Sequence, residues 1–268
     1  MNIYILPFLF TALCFSQNNY LHQVLLLNEG CYDYYNEEIL DPPTIGIYNA
    51  ETNTYNTEIE IANSRFASDL IVDDGFFYVA ADNKILKYNL DTYELINSIE
   101  YSGVRKLTIY EEFLFVSRGD YNLETYNPII FDSYLDVYSK EDLSLFYSFE
   151  TSNDGPQWST ESLLTLDDKL YVAINNAYEY GNYKGIIGVV NISNMDYSEL
   201  DLGSEGKNPI NMMYRNNNIY TVNNKNWDGS SVSIVNVSSL SVETITLSDV
   251  SAGCGVSIIR DDKLNYQK

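Results

Sequence analysis

Two patterns of apolar and polar positions alternate along this chain, and both read as strand–turn–strand. The first runs DLIVDDGFFYVAADN (69–83), KLTIYEEFLFVSRGD (106–120), SLLTLDDKLYVAINN (162–176), NMMYRNNNIYTVNN (211–224) and VSIIRDDKLNYQK (256–268). Its flanks are short runs of Val, Ile, Leu and aromatic residues, suited to half-buried or buried strands. Turn formers interrupt each run at Asp73-Asp74-Gly75, Glu111-Glu112, Asp167-Asp168, Asn216-Asn217 and Asp261-Asp262. The second pattern is IGIYNAETNTY, KILKYNLDTYEL, YLDVYSKEDLSLF, GVVNISNMDYSEL and VSIVNVSSLSVET. A polar residue follows the last strand position in each, at Asn49, Asn89, Ser139, Asn191 and Asn236.

The two patterns recur in step. Anchored on Tyr78, Phe115, Tyr171, Tyr220 and Asn265, the hairpins are 37, 56, 49 and 45 residues apart. That spacing is the mark of stacked units, each of four short antiparallel strands, A to D from the inside outward. No stretch carries a 3.6-residue apolar stripe of helical length. One four-stranded sheet hides a single face and leaves two open edges. Sheets fanned about an axis bury both faces, and near-continuous apolar strands such as Val24–Leu27 and Ile187–Val190 suit that two-sided burial. The expected fold is therefore all-β, a β-propeller of four-stranded antiparallel blades, with five units and a partial one. A β-sandwich is the alternative, but it predicts no four-strand period.

The units are placed at 20–62, 67–101, 104–150, 160–202 and 209–247, with a partial unit at 254–268. The first lacks a strand A, which a strand from the C-terminal end would supply on ring closure. The last stops where a strand C should follow, so the expectation is a fragment truncated at its C-terminus.

Charge narrows the partners. The 268 residues carry a formal net charge of −23, with a pI near 4.1. Such a field repels nucleic acid and anionic lipid and attracts cations or basic partners. Residues 1–16 read as an export signal, because Ile3–Phe15 is apolar yet too short to span a bilayer. Cys14 and Ser16 sit at −3 and −1 of a cleavage before Gln17; lipidation of Cys14 is the other reading. Residues 17–268 then form the mature domain, with no transmembrane segment. The expected location is extracellular, cell-surface or periplasmic, and the expected state a monomer. Cys31 and Cys254 remain after cleavage, and an oxidising compartment permits a disulfide between them.

Four segments together carry a family likeness: VLLLNEG (24–30), RFASDLIVDDGFFYVAADNKILKYNLDTYEL (65–95), GPQWSTESL (155–163) and SAGCG (251–255). The chain resembles, over roughly residues 20–268, the secreted YncE-like propellers, surface-layer-type proteins of unknown function from outer-membrane bacteria. The resemblance implies a propeller of about seven blades and often a C-terminal sorting domain for type IX export. Some similar surface propellers capture small nutrients for a transporter. No ligand motif matches, so no ligand residue is carried over.

A propeller gathers its D-to-A and B-to-C loops on one face around the central channel. The D-to-A loops offer Arg65, Arg105, Trp158, Glu161, Asn208 and Asn211. The B-to-C loops offer Asn28, Glu29, Asp82, Asn83, Arg118, Asp120, Asn175, Asn176, Asn223 and Asn224. Two readings stand side by side: Asn and Asp shaping turns, or a ring of acceptors and amides converging on a ligand or hard cation. Three insertions, 31–43, 119–133 and 177–185, bring Tyr32, Tyr34, Tyr35, Tyr121, Tyr126, Tyr178, Tyr180 and Tyr183 to the same loops. Tyr offers flat contact area and a hydroxyl, so this cluster could stack on a sugar or planar ligand. With 25 Tyr in the chain, general composition is the bland alternative.

Calcium is considered because the loops are rich in oxygen ligands, but no DxDxDG-type loop is present. The stretch 223–229 holds Lys225 and lacks a bidentate Glu. No metal site is assigned and no cofactor is expected. The single histidine, His22, leaves multi-His zinc sites and most His-based triads without material. No catalytic residue is assigned. The expected function is a non-enzymatic binding propeller whose partner is a small molecule, a glycan or a surface protein. A metal-assisted, lactonase-like hydrolase or lyase is the alternative, and a structural or adhesive surface protein a further one.

Overall fold

The computed structural model describes residues 23–179, 181–225, 229–247, 250, 256–260 and 263–267. The expected leader 1–16, Tyr180 and Cys254 lie outside them. Apart from one small two-stranded ribbon, six sheets follow one another in chain order, here called blades 1 to 6. Blade 1 holds β1 (Val24–Asn28) and, after a small hairpin of β2 (Cys31–Asp33) and β3 (Glu38–Asp41), β4 (Thr44–Asn49) and β5 (Thr54–Glu60). Blade 2 is β6 (Asp69–Asp73), β7 (Phe76–Ala81), β8 (Lys84–Asn89) and β9 (Leu95–Glu100). Blade 3 is β10 (Val104–Tyr110), β11 (Phe113–Arg118), β12 (Ser133–Ser139) and β13 (Leu145–Glu150). Blade 4 is β14 (Thr160–Leu166), β15 (Lys169–Ile174), β16 (Ile186–Asn191) and β17 (Asp196–Asp201). Blade 5 is β18 (Pro209–Arg215), β19 (Asn218–Asn223), β20 (Ser230–Asn236) and β21 (Val242–Leu247), and blade 6 the hairpin β22 (Val256–Arg260) and β23 (Lys263–Gln267). Blades 2 to 5 are four-stranded meanders, with every pair antiparallel. The first sheet has three strands, equivalent to B, C and D. Among the described residues helical structure is confined to a short 3-10 turn, Thr151–Asn153, and to Lys225.

Local chemistry explains both turn types. The A-to-B hairpins close through two-residue loops. At Asp74-Gly75 and Asn216-Asn217 both residues have positive φ (43° and 78°, 49° and 62°), the sense that matches strand twist and that Asp, Asn and Gly tolerate. The C-to-D turns share one device. The Asn89 side chain accepts the N–H groups of Asp91 and Thr92, and Asn49 those of Glu51 and Thr52. Asn191 accepts from Ser193, Asn236 from Ser239, and Ser139 from Glu141. Four residues after each anchor the backbone turns left-handed, at Asn53, Tyr93, Leu143, Met195 and Leu240, with φ between 54° and 59°. The recurrent polar residue of the second pattern is thus an Asx-type turn anchor.

Packing makes the array radial. In strand B, neighbouring residues face opposite blades. Leu114 and Val116 pack with Tyr78, Ala80 and Ile85 of blade 2, while Phe115 joins Leu170, Val172 and Ile174 of blade 4. Likewise Tyr171 and Ala173 face Met212, Ile219 and Val235 of blade 5, and Phe77, Val79 and Ala81 face Ile45 and Ile61 at the end of blade 1. The alternation of P and H that marks a one-sided sheet is absent because both faces are dry. Each A strand lies beside the next around the axis, β6 by β10, β10 by β14, β14 by β18 and β18 by β22. The protein is a β-propeller, as its repeat predicts. No helix among the described residues is long and apolar enough to cross a membrane.

Candidate functional site

At the end of the axis where strands A begin, three successive blades carry the same irregularity. In blade 3 the pairing steps from Val104↔Arg118 to Leu107↔Val116, so Arg105 and Lys106 stand opposite one residue. Blade 4 repeats this with Glu161 and Ser162, between Thr160↔Ile174 and Leu163↔Val172. Blade 5 has its extra residue at Ile210, between Pro209↔Asn223 and Asn211↔Val222. A bulge re-aims the side chains of the bulged strand. Here Arg105, Lys106, Glu161, Ser162, Ile210 and Asn211 all line a cleft of about 390 Å³, within the range of small-molecule sites.

The loops complete its wall. Tyr34 comes from the β2–β3 turn, Tyr121 from the loop after β11, Tyr178 from the loop after β15, and Phe66 from the entry to blade 2. The first two loops reuse the Asx-type turn of the C-to-D connections. Asp33 accepts from the N–H of Tyr35 and Asn36, and Asn122 from Glu124 and Thr125; Glu37 and Tyr126 take the left-handed positions. Tyr121 stacks on Tyr178 with ring centroids 4.6 Å apart and is hydrogen-bonded to Tyr34. Burial first, then the neighbouring phenols, pushes the Tyr121 hydroxyl well above its ordinary pKa, so it is neutral at physiological pH. Gly119 lets the walls approach: a Cβ there would stand 2.6 Å from Cβ of Ser159.

The charges are tied in pairs. Arg105 holds Glu161 with two bonds, Nε to Oε2 at 2.9 Å and Nη2 to Oε1 at 3.3 Å, across the blade 3–blade 4 boundary. The coulombic pull of Glu161, opposed by burial, raises the Arg105 pKa. Arg65, behind the cleft, grips Asp82 and also Asp120, which faces into it. Its pKa is raised mainly by the side-chain hydrogen bonds to Asp82. Lys106 Nζ donates to Ser68 O at 2.5 Å. Burial raises the neighbouring Asp69 carboxyl, against the pull of Lys106, and that carboxyl accepts the Leu107 N–H. Further bonds bind blade to blade at the same level: Met212 N–H donates to Ser162 Oγ, and Ser257 Oγ to Asn211 Oδ1.

Of the residues singled out from sequence, Glu29, Arg105, Asp120, Glu161, Asn175, Asn211 and Asn224 line this cleft, with Tyr34, Tyr121 and Tyr178 of the tyrosine cluster. The others serve the scaffold. Asn176 accepts the Lys184 N–H and donates to Asn182 O, while Asn208 Oδ1 accepts the Asn176 N–H. Asn223 is buried against Thr221, Ser231 and Ser233. Asn28 donates to Thr44 and Tyr55 on the outside. The Asn83 carbonyl accepts the Tyr101 N–H, and its buried Oδ1 has no partner among the described residues. Arg118 donates to Ser102 O and lies 3.9 Å from the Phe131 ring centroid. Trp158 packs into the blade 3–blade 4 core below Lys184. Cys31 is exposed at the start of β2; its proposed partner Cys254 is outside the described residues. Lys106, Ser162, Ile210, Phe66 and Ser159 escaped sequence reading. The first three owe their direction to the bulge, whose only trace in sequence is a polar residue breaking the apolar start of strand A.

No family model matches this chain, and no curated protein matches it. Among solved structures it is similar to the crystal structure of the computationally designed Ika8 protein, with a TM-score of 0.52 at 12% identity, covering 84% of this chain and 68% of that one. A second likeness is to the computationally designed Ika4 protein, with a TM-score of 0.47 at 13% identity over 71% of this chain and 96% of that one. At such identities the likeness to Ika8 speaks for the fold alone.

Proposed function

We propose that this is an exported, non-enzymatic binding propeller that takes a small ligand in the axial cleft of blades 3 to 5. The observation that supports this most is the convergence of three bulged strands and three tyrosine-bearing loops on one concave site. Stacked rings beside amides, hydroxyls and a tied ion pair suit recognition, since apolar contact gives affinity and placed polar groups give orientation. Rigid strands hold the polar groups, and loops hold the rings. The resemblance to secreted surface propellers and the apolar leader support placement outside the cytoplasm. Glu161 and Asp120 are each engaged by an arginine, which favours holding over proton transfer.

The reading is tested by thermal-shift screening of the purified chain against a small-molecule panel. A ligand of the folded state raises the melting temperature saturably, and Tyr178→Ala should abolish the rise. A rise that Tyr178→Ala leaves intact would move the site elsewhere.

A further inference from the structure

The cleft's lining is more selective than its shape. Two cations, Arg105 and Lys106, stand with three carboxylates, Glu29, Asp120 and Glu161. Arg65, bound to both Asp82 and Asp120, offsets only one of those two carboxylates. The cleft is thus weakly acidic and its charges largely paired, inside a chain of net charge −23. An anionic ligand meets a repulsive surrounding field with its local cations already engaged, and a cation meets local cations.

The remaining polar groups present mainly donors. Asn175 uses Oδ1 on the Ala177 N–H, and Asn211 uses Oδ1 on Ser257; both keep their Nδ2 hydrogens. Ser162 Oγ accepts from Met212 and keeps its hydroxyl hydrogen. These donors rise from adjacent blades, so they meet several oxygens of one ligand at once. Beside them the Arg105–Glu161 pair sets donors next to acceptors, the arrangement that two neighbouring hydroxyls complete, one accepting from guanidinium and one donating to carboxylate. The same cleft is lined by Tyr34, Tyr121, Tyr178 and Phe66, the last beside the Arg105 guanidinium, and their apolar surfaces suit a face of C–H groups.

From this pairing of a ring wall with uncharged donors, we propose that the ligand is a neutral saccharide. One face of a sugar ring lies against the tyrosines, and its oxygens meet Asn175, Asn211, Ser162 and the Arg105–Glu161 pair. This rests on the axial cleft being the binding site. Lys106 already spends one of its donors on Ser68 O.

The full chain is titrated calorimetrically with neutral mono- and disaccharides (glucose, galactose, mannose, N-acetylglucosamine, maltose, cellobiose). Glucuronic acid, glucosamine, adenosine and riboflavin serve as charged and planar non-sugar probes. A glycan array separates a free sugar from the end of a longer chain. The expected result is saturable binding of at least one neutral saccharide, weakened tenfold or more in Tyr178→Ala and in Glu161→Gln, with circular dichroism confirming that both variants fold. Asn83→Ser, outside the cleft, should bind as the parent does. If only a charged or planar non-sugar probe binds, and Tyr178→Ala removes it, the saccharide assignment fails while the cleft stands. If no probe or immobilised glycan binds, both fail.

Discussion

Arg65 offers the sharpest test of how the blades are joined. Its guanidinium donates to Asp82 at 2.6–3.0 Å and to Asp120 at 2.8 Å, while its own N–H reaches Asp82 Oδ2 at 3.1 Å. One side chain from the blade 1–blade 2 connection thereby ties the B-to-C loops of blades 2 and 3. The side chains are 18%, 11% and 13% exposed, so Arg65→Met strands two carboxylates with little water. Losing one partner of a buried ion pair costs about 3–5 kcal/mol; with residual exposure here the lower end applies, about 3 kcal/mol. For a domain of this size that lowers Tm by roughly 6–12 °C. Removing the charges together should recover at least half of it. In Arg65→Met/Asp82→Asn/Asp120→Asn, the amide oxygens still accept the Arg65 and Tyr121 N–H groups that the carboxylates accept now. The control is Lys140→Met, whose partners Asp73 and Asp74 are 29% and 83% exposed and keep water when the lysine is lost; a surface pair is worth at most about 1 kcal/mol. Urea unfolding of the four proteins measures all of this. Arg65→Met costing under about 1 kcal/mol, or a triple variant no more stable than the single, would refute the clamp.

Three other outcomes follow from the packing and the turns. Leu170→Ala, fully buried between blades 3 and 4, should cost about 2–5 kcal/mol, read by denaturant titration. Asp69→Asn should stabilise the fold at pH 7. Its folded-state pKa is raised by burial, so the native protein bears a cost above that pKa which vanishes below the ordinary carboxylate range. The gain over the parent should therefore shrink as pH falls through that range, measured as the difference in urea midpoints at each pH. Leu240→Gly, at φ 56° on an exposed turn, should relieve about 1–2 kcal/mol of left-handed strain less about 0.5–1 kcal/mol of entropy. A small rise in Tm is expected, and a fall would discount the strain.

The order of apolar and polar residues determined the blade, because period-two runs and turn formers act over a few neighbours. Asn89 and Asn236 could be read as turn residues for the same reason: each bonds to amides two or three positions on. The four-strand period also implied radial packing, since two-sided apolar strands such as Ile187–Val190 have no other economical cover. The direction of Lys106, Ser162 and Ile210 was decided only in three dimensions. A bulge is a mismatch between two strands, and no single strand's sequence records it. Equally, Asn223 and Asn224 are neighbours at the end of strand B, yet Asn224 lines the cleft and Asn223 is buried among Thr221, Ser231 and Ser233. Sequence supplied the same residue type twice. Which neighbours reached it, across blades and around the axis, settled whether it shapes a loop or faces a ligand.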